Sequence, residues 1–561
     1  MRSWAALALG ALTACGGASA TPLEPAPRGE LTLTVVGTND LHGRVGALPV
    51  LGGYLEVLRA LRSEDGALVV LDGGDMFQGT LESNLLEGAP VVEAYGALGY
   101  DAVTIGNHEF DYGPVGEAAV ARGPGQDPRG ALLARAAEAS YPFLAANLRR
   151  EGGGPLGWPH VRHSALLERA GVTVGVIGVT TEDTLTTTIA ANVRDLELVP
   201  VADAIAAEAR SLRDRGAAIV LVAAHAGGRC ERFEAPRDLS SCDPEQEIFR
   251  VAAALPEGAV DAIVAGHTHQ AIAHVVAGIP IVESYAYGRA FGRVDLVVDR
   301  ARGAVVRAEV HPPRELCAEG TSGPDCAPGT YEGREVRPDP RIAAVLAPAI
   351  ANAASERARP LGVTIADGPI EAVRERECAL GNLFTDLMRE ARGADVGLTN
   401  GGGLRASLPV GPLTYGLLHE ATPFDNAIAL VRLSRRELEA LLADNLGRTG
   451  SFLSVSGVRV RAGCEGGELR AHVTREDGTP IGDDATLLMV TSDFLATGDE
   501  AAFAALRARA GAIEIDAAQG LREAMAARLT ARGGTLRPAD LYDPARPRVA
   551  YEGTRPLSCA P

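Results

Sequence analysis

Lysine is missing altogether: every one of the 53 Lys/Arg positions among the 561 residues is arginine. A single arginine is therefore weak evidence, and grouped arginines matter more. Positive charge as a whole is scarce, because 72 acidic residues set the net charge at −19. That argues against a surface built to track a nucleic-acid backbone, which needs a basic face. A small phosphate ester would have to be held locally, by metals or clustered arginines. Aromatic residues make up only 4%, so a phenylalanine inside a motif counts for more than usual. Beyond the N-terminus no apolar run is long enough to cross a bilayer. The 66 glycines follow no three-residue period, which excludes a collagen-like chain. What is present, 46% hydrophobic and 22% charged residues, is globular composition. The length exceeds what one core serves, so two domains or more are expected.

Residues 1–20 place Arg2 before an apolar run from Trp4 to Leu12, followed by small residues. This is the pattern of a signal peptide, too short for a permanent span. Leu12-Thr13-Ala14-Cys15 resembles the bacterial lipobox. It implies cleavage before Cys15, a diacylglycerol thioether on it, and a lipid-anchored protein in the periplasm or at the cell surface. The other reading is a plain secretory signal with an incidental cysteine. Several acyl chains anchor stably where a single one holds only marginally. Residues 21–29 read as a tether. In an oxidising compartment the other cysteines are expected to pair, Cys230 with Cys242 and Cys317 with Cys326. Cys378, Cys464 and Cys559 leave one over, which the sequence does not assign.

From 30 to 312, runs such as LTLTVVG, ALVVLDG, AAIVLVAAH and VDAIVAGH alternate with alanine-rich helical stretches. Continuous apolar runs of this length suit strands buried on both faces, so the fold class is α/β. Residues 313–359 read as a Gly-, Pro- and Cys-rich boundary ending in a bridging helix over 339–359. A second α/β unit is expected from 360 to 545, with helices near 379–392 and 435–446, and a tail over 546–561. No simple internal repeat is visible.

Candidate metal ligands stand directly after expected strands: Asp40 and His42 in TNDLH, Asp75 in DGGD, Asn107 in GNHEFD, His225 after AAIVLVAA, and His267 and His269 in GHTH. Carboxyl ends of strands in an α/β sheet share one edge, where ligand sites of this architecture gather. A mixed O/N donor set suits zinc, manganese or cobalt more than calcium. The set exceeds the needs of one tetrahedral ion, so two divalent ions with a bridging carboxylate are expected. A lone Asp-x-His is most often a turn, and one His after a strand is usually just hydrogen-bonded. Five such motifs in this order are not a chance pattern.

On these motifs the sequence resembles the calcineurin-like metallophosphoesterases, and within them the 5′-nucleotidase and UDP-sugar hydrolase family. The resemblance covers nearly all of the chain beyond the leader. It implies stacked sheets flanked by helices in four layers, joined by a helix to a substrate-binding domain. It implies Asp40, His42 and His269 on one metal, Asn107, His225 and His267 on the other, and Asp75 bridging. It implies that His108, oriented by Asp111, stabilises the transition state or leaving group while a metal-activated hydroxide attacks in line.

The second half carries the expected substrate contacts. VRERECALGNLF resembles the family segment that contributes Arg374 to the phosphate, with Arg376 a second candidate. In LTNGGGLR, Asn400 and Gly402 precede Arg405, which can add a bidentate anion contact. Phe424 and Phe494 stand where the family stacks a nucleobase, worth roughly 1–3 kcal/mol per base. Asp499 is the expected ribose contact, in a loop one glycine shorter than the family pattern. The implied activity is release of phosphate from nucleotides, with UDP-sugars or nucleoside di- and triphosphates as further substrates. A 2′,3′-cyclic phosphodiesterase with 3′-nucleotidase activity is the alternative on the same cage. A non-catalytic nucleotide-binding lipoprotein is the alternative of another class. The oligomeric state is left open.

Overall fold

The computed structural model describes residues 29–559, apart from 117, 122, 124, 318–325, 484, 498–500 and 510. The expected signal peptide, Cys15 and Asp499 lie outside the described residues. Among the described residues no helix is long and apolar enough to cross a membrane.

The first half is built on two stacked sheets. In one, strands Glu30–Thr38, Gly66–Asp72 and Ala102–Thr104 run parallel, and Ala290–Asp299 closes antiparallel against the first. In the other, Val172–Thr180, Ile219–His225 and Ala262–Ala265 run parallel. Successive strand residues point to opposite faces, and here both faces are apolar. Leu33, Val35, Val69 and Leu71 pack inward on Val174, Val176, Leu221 and Val264. Val36 and Val70 face outward onto helices Leu48–Leu61 and Ala89–Leu98. Val220 and Val222 face helices Val201–Asp214 and Glu247–Ala254. The result is four layers, helix, sheet, sheet and helix. The sheets approach so closely at Gly37 that a Cβ there would lie 2.5 Å from Val264.

Helix Pro340–Ala358 follows, capped by Asp339, whose carboxylate accepts from Arg341 N–H. Its first turns bury Ile342 and Leu346 in the first core, and Ala353 belongs to the second. One helix therefore has an end in each half.

The second half is a five-stranded sheet in the order Leu453–Ser456, Val396–Asn400, Thr486–Ser492, Ala427–Ser434, Ile513–Gly520. Leu383 and Leu387 of helix Ala379–Arg392 and Met525 of helix Leu521–Arg532 pack in one apolar cluster with Ile428 and Val490. Leu438, Leu441 and Leu442 of helix Arg435–Leu446 pack in another with Val396 and Val431. That helix starts at a capping box formed by Ser434 and Glu437. The segment expected as a tail holds strand Val549–Tyr551, paired with Val458–Glu465. Cys464–Cys559 ties it down, beside the local disulfides Cys230–Cys242 and Cys317–Cys326. The cysteine left over is Cys378, buried, with its sulfur accepting from Gly381 N–H at the start of a helix.

Candidate metal centre and substrate cleft

All seven candidate ligands meet at the carboxyl edge of the two sheets. Five have left-handed backbones: Asp40 (φ 50°), His42 (48°), Asp75 (56°), His267 (85°) and His269 (57°). For residues other than glycine this costs about 1–3 kcal/mol each and persists only where surroundings over-determine it. The surroundings do so here. Asp40 N–H donates to Gly74 O and His42 N–H to Asp75 O. The buried Glu109 carboxylate accepts from the N–H groups of Gly106, Asp75 and Met76 at 2.7–2.9 Å. Gly106 must be glycine, because a Cβ would lie 2.2 Å from Asp75 Oδ1.

The ligands form two groups, Asp40/His42/His269 and Asp75/His225/His267. His42 Nδ1–H donates to Gln78 O at 2.8 Å, which leaves Nε2 as a lone pair 3.0 Å from His269 Nε2. His225 Nδ1–H donates to Gly73 O at 2.8 Å. Its Nε2 then lies 3.1 Å from Asp75 Oδ2, 3.0 Å from Asn107 Oδ1 and 3.2 Å from His267 Nδ1. Asp75 Oδ2 lies 3.9 Å from His42 Nε2, between the two groups. Asp40 Oδ1 is buried with no hydrogen-bond partner. Lone pairs aimed at lone pairs, with a buried carboxylate oxygen unsatisfied, repel unless cations sit among them, so the donor set fits divalent metal.

Electrostatics agree. Burial, with His269 beside it, pushes His42 down to about 3, and burial, with His225 beside it, pushes His267 down to about 4. Both rings are thus neutral, the form that ligates. Against the burial of His225, the Asp75 carboxylate lifts it to about 10. The centre therefore strongly attracts positive charge.

His108 follows Asn107 and is anchored by its N–H to Asp75 Oδ1 at 2.8 Å. Its Nδ1 lies 2.5 Å from Asp111 Oδ2, and Asp111 Oδ1 accepts from Thr188 at 2.8 Å. Burial works against a charged His108, but Asp111 and Asp75 outweigh it and raise its pKa.

Asp75, Asn107, His108, Asp111, His267 and His269 form one wall of a cleft of about 790 Å³. The second half supplies the facing wall, with Arg374, Asn400, Gly402, Arg405, Phe424 and Phe494 all lining it. Arg405 lies 5.0 Å above the Phe424 ring, whose centroid is 5.9 Å from that of His108. Gly401 packs on Arg374, where a Cβ would lie 2.2 Å from the Arg374 carbonyl. Arg376 does not join them. It is exposed, close enough to Tyr542 to act on that phenol, and does not line the cleft.

Other lining residues carried no readable signal: Arg448, paired with Asp444 at 2.8 Å, and the 183–189 segment, where Thr187 O accepts from Asn107 at 3.2 Å. Glu109 was findable, as an acid inside a motif whose neighbours are ligands.

The fold and the paired donor groups, opening on a cleft that also holds Arg374, Arg405 and Arg448, define the class of metal-dependent phosphoester hydrolases. The chain belongs to the calcineurin-like phosphoesterases that carry a 5′-nucleotidase C-terminal domain: the first family matches residues 33–271 and the second matches 352–507. Endonuclease YhcR of Bacillus subtilis (strain 168) is 26% identical over 500 residues, 86% of this chain, which spans only 38% of YhcR's length. The probable 5′-nucleotidase of Treponema pallidum (strain Nichols) is 25% identical over 558 residues, covering 84% of this chain and 87% of that protein. The crystal structure of a 5′-nucleotidase precursor from Thermus thermophilus superposes with a TM-score of 0.69 at 24% identity, covering 93% and 99% of the two chains.

Proposed function

We propose that the protein is an exported two-metal phosphohydrolase that releases phosphate from nucleotides. One observation carries the reading: two ligand groups astride Asp75 share a cleft with Arg374, Arg405 and two phenylalanines. Asp40, His42 and His269 would hold one ion and Asn107, His225 and His267 the other, with Asp75 between them. Zinc, manganese or cobalt bound there would supply activated water and neutralise phosphoryl charge.

The chain's own residues do the rest. Arg374 and Arg405, both lining the cleft, bind the phosphate. Asn400 and Gly402 shape the anion loop. Phe424 and Phe494 present aromatic faces to the base. Asp111 holds the Nδ1 hydrogen of His108, which leaves Nε2 to donate to the phosphoryl or leaving-group oxygen. Asp499 remains the proposed ribose contact. The labour divides between 30–312 for metals and 360–545 for substrate, and the 339–359 helix connects them.

Phosphate release from AMP, UDP-glucose and 2′,3′-cyclic AMP tests the reading. Release from AMP that EDTA abolishes and divalent metal restores is the expected result. Preference for the cyclic substrate would favour the phosphodiesterase alternative. No metal-dependent release from any of the three would leave a binding protein. The intact His108–Asp111 pair speaks against that outcome, since binding alone does not require it.

Export is supported by three disulfides, and a lipid anchor by the Leu12–Cys15 motif. Cys15→Ser should move the protein from the membrane to the soluble fraction of the native host; a Cys15→Ser variant that stays with membranes would refute the anchor.

A further inference from the structure

The aromatic wall of the cleft belongs to the second half of the chain, yet the metal-bearing half holds it in place. Phe424 follows Pro423, and the Pro423 carbonyl accepts two hydrogen bonds from residues of the first half. Gln78 Nε2 donates at 2.6 Å and Asn84 Nδ2 at 3.1 Å. Gln78 is only 2% exposed, and its own backbone carbonyl is the acceptor that orients His42. Asn84 is fixed in turn, because its Oδ1 accepts from Gly79 N–H at 2.9 Å and lies 3.0 Å from the Tyr112 hydroxyl. A short path thus runs from a metal-ligand imidazole through Gln78 and Pro423 to the Phe424 ring.

The other side of the same loop is pinned within its own domain. Buried Arg522 donates to Thr422 O at 3.2 Å and Phe424 O at 3.1 Å and pairs with Asp425. Asp493 Oδ1 accepts from both Ala427 N–H at 3.1 Å and Phe494 N–H at 2.8 Å. Those contacts fix the loop's shape and its relation to Phe494. The hydrogen bonds from Gln78 and Asn84 fix its distance from the metals.

We propose that Gln78 and Asn84 are positioning residues for base recognition: they dock the Phe424 wall onto the metal centre, so that a phosphate ester bearing an aromatic base is aligned for reaction. The inference rests on the nucleotide reading above and adds which residues set the base preference. A buried donor at 2.6 Å and a half-buried one at 3.1 Å on the same carbonyl are directional, and a backbone carbonyl left without them would lose its place. A misplaced stacking face weakens binding of the base most, because Arg374 and the metal ligands keep their own partners, while only Arg405 rests on the Phe424 ring.

The test compares AMP with ribose 5-phosphate, which keeps the phosphate and sugar and lacks the base. It uses the full-length protein and the variants Gln78→Ala, Gln78→Glu and Gln78→Ala/Asn84→Ala. Gln78→Glu keeps size but replaces the donor with an acceptor that repels the Pro423 carbonyl, so it should lose at least as much as Gln78→Ala. For the double variant, kcat/KM on AMP should fall about tenfold or more, chiefly through KM. Ribose 5-phosphate turnover should change less than about twofold, and bound metal should stay constant. Equal losses on both substrates, loss of metal, or a full AMP preference retained in the double variant would each overturn the inference. A wild-type protein with no preference for AMP over ribose 5-phosphate would overturn the base wall itself, and this inference with it.

Discussion

Asp75→Ala should remove phosphate release and bound metal together. Its Oδ2 lies 3.1 Å from His225 Nε2 and 3.9 Å from His42 Nε2, so one oxygen serves both ligand groups. Its Oδ1 accepts the His108 N–H at 2.8 Å, so the same side chain also seats the adjacent imidazole. Without it, the lone pairs of His225, Asn107 and His267 lose the anion that makes a cation welcome. Metal-supplied charge stabilisation is worth several kcal/mol, so loss of activity by roughly 10³-fold or more is expected. Asp75→Asn separates the functions, because an amide oxygen still accepts from His108 N–H but carries no charge. Metal content by elemental analysis, alongside AMP hydrolysis, decides it. Full metal content in Asp75→Ala would remove Asp75 from the bridging position.

His108→Ala should behave oppositely, with metal retained and turnover reduced on the order of 10²–10⁴-fold, the usual worth of a positioned proton donor. The pH dependence sharpens this. Burial opposes charge on His108, but Asp111 and Asp75 outweigh it and raise its pKa above the ordinary histidine value. A group raised in this way is protonated below its folded pKa and loses its proton as pH rises through it. Activity that needs the proton therefore falls on the alkaline side. Asp111→Asn removes the leading carboxylate, and that limb should move to lower pH. Bound cations push His108 downward in both proteins, so the difference between them belongs to Asp111. An unmoved alkaline limb in Asp111→Asn would show that the pair is structural.

Much of this site was legible because its chemistry is local to strand ends. AAIVLVAAH and VDAIVAGH hold stretches apolar on both faces, and LTLTVVG is nearly so, which points to buried parallel strands, and such strands deliver their last residues to one edge. Asp40, His225 and His267 could be placed together without coordinates for that reason. Phe424, Phe494 and Arg405 were legible only through resemblance, since a phenylalanine after a strand is ordinarily core. Arg374 stood ahead of Arg376 only through resemblance, because two arginines in one bend look equivalent by residue type.

By itself the sequence determined the α/β class and singled out the candidate ligands and the His108–Asp111 pair, since periodicity and short motifs encode them within a few residues. Tertiary structure decided the partner of Cys464, the burial of Cys378, the exclusion of Arg376, and the docking of Pro423 on Gln78 and Asn84. Those depend on which distant segments meet. A hydrogen bond between residues 345 positions apart leaves no periodic trace in the chain, because each partner is placed by a different core.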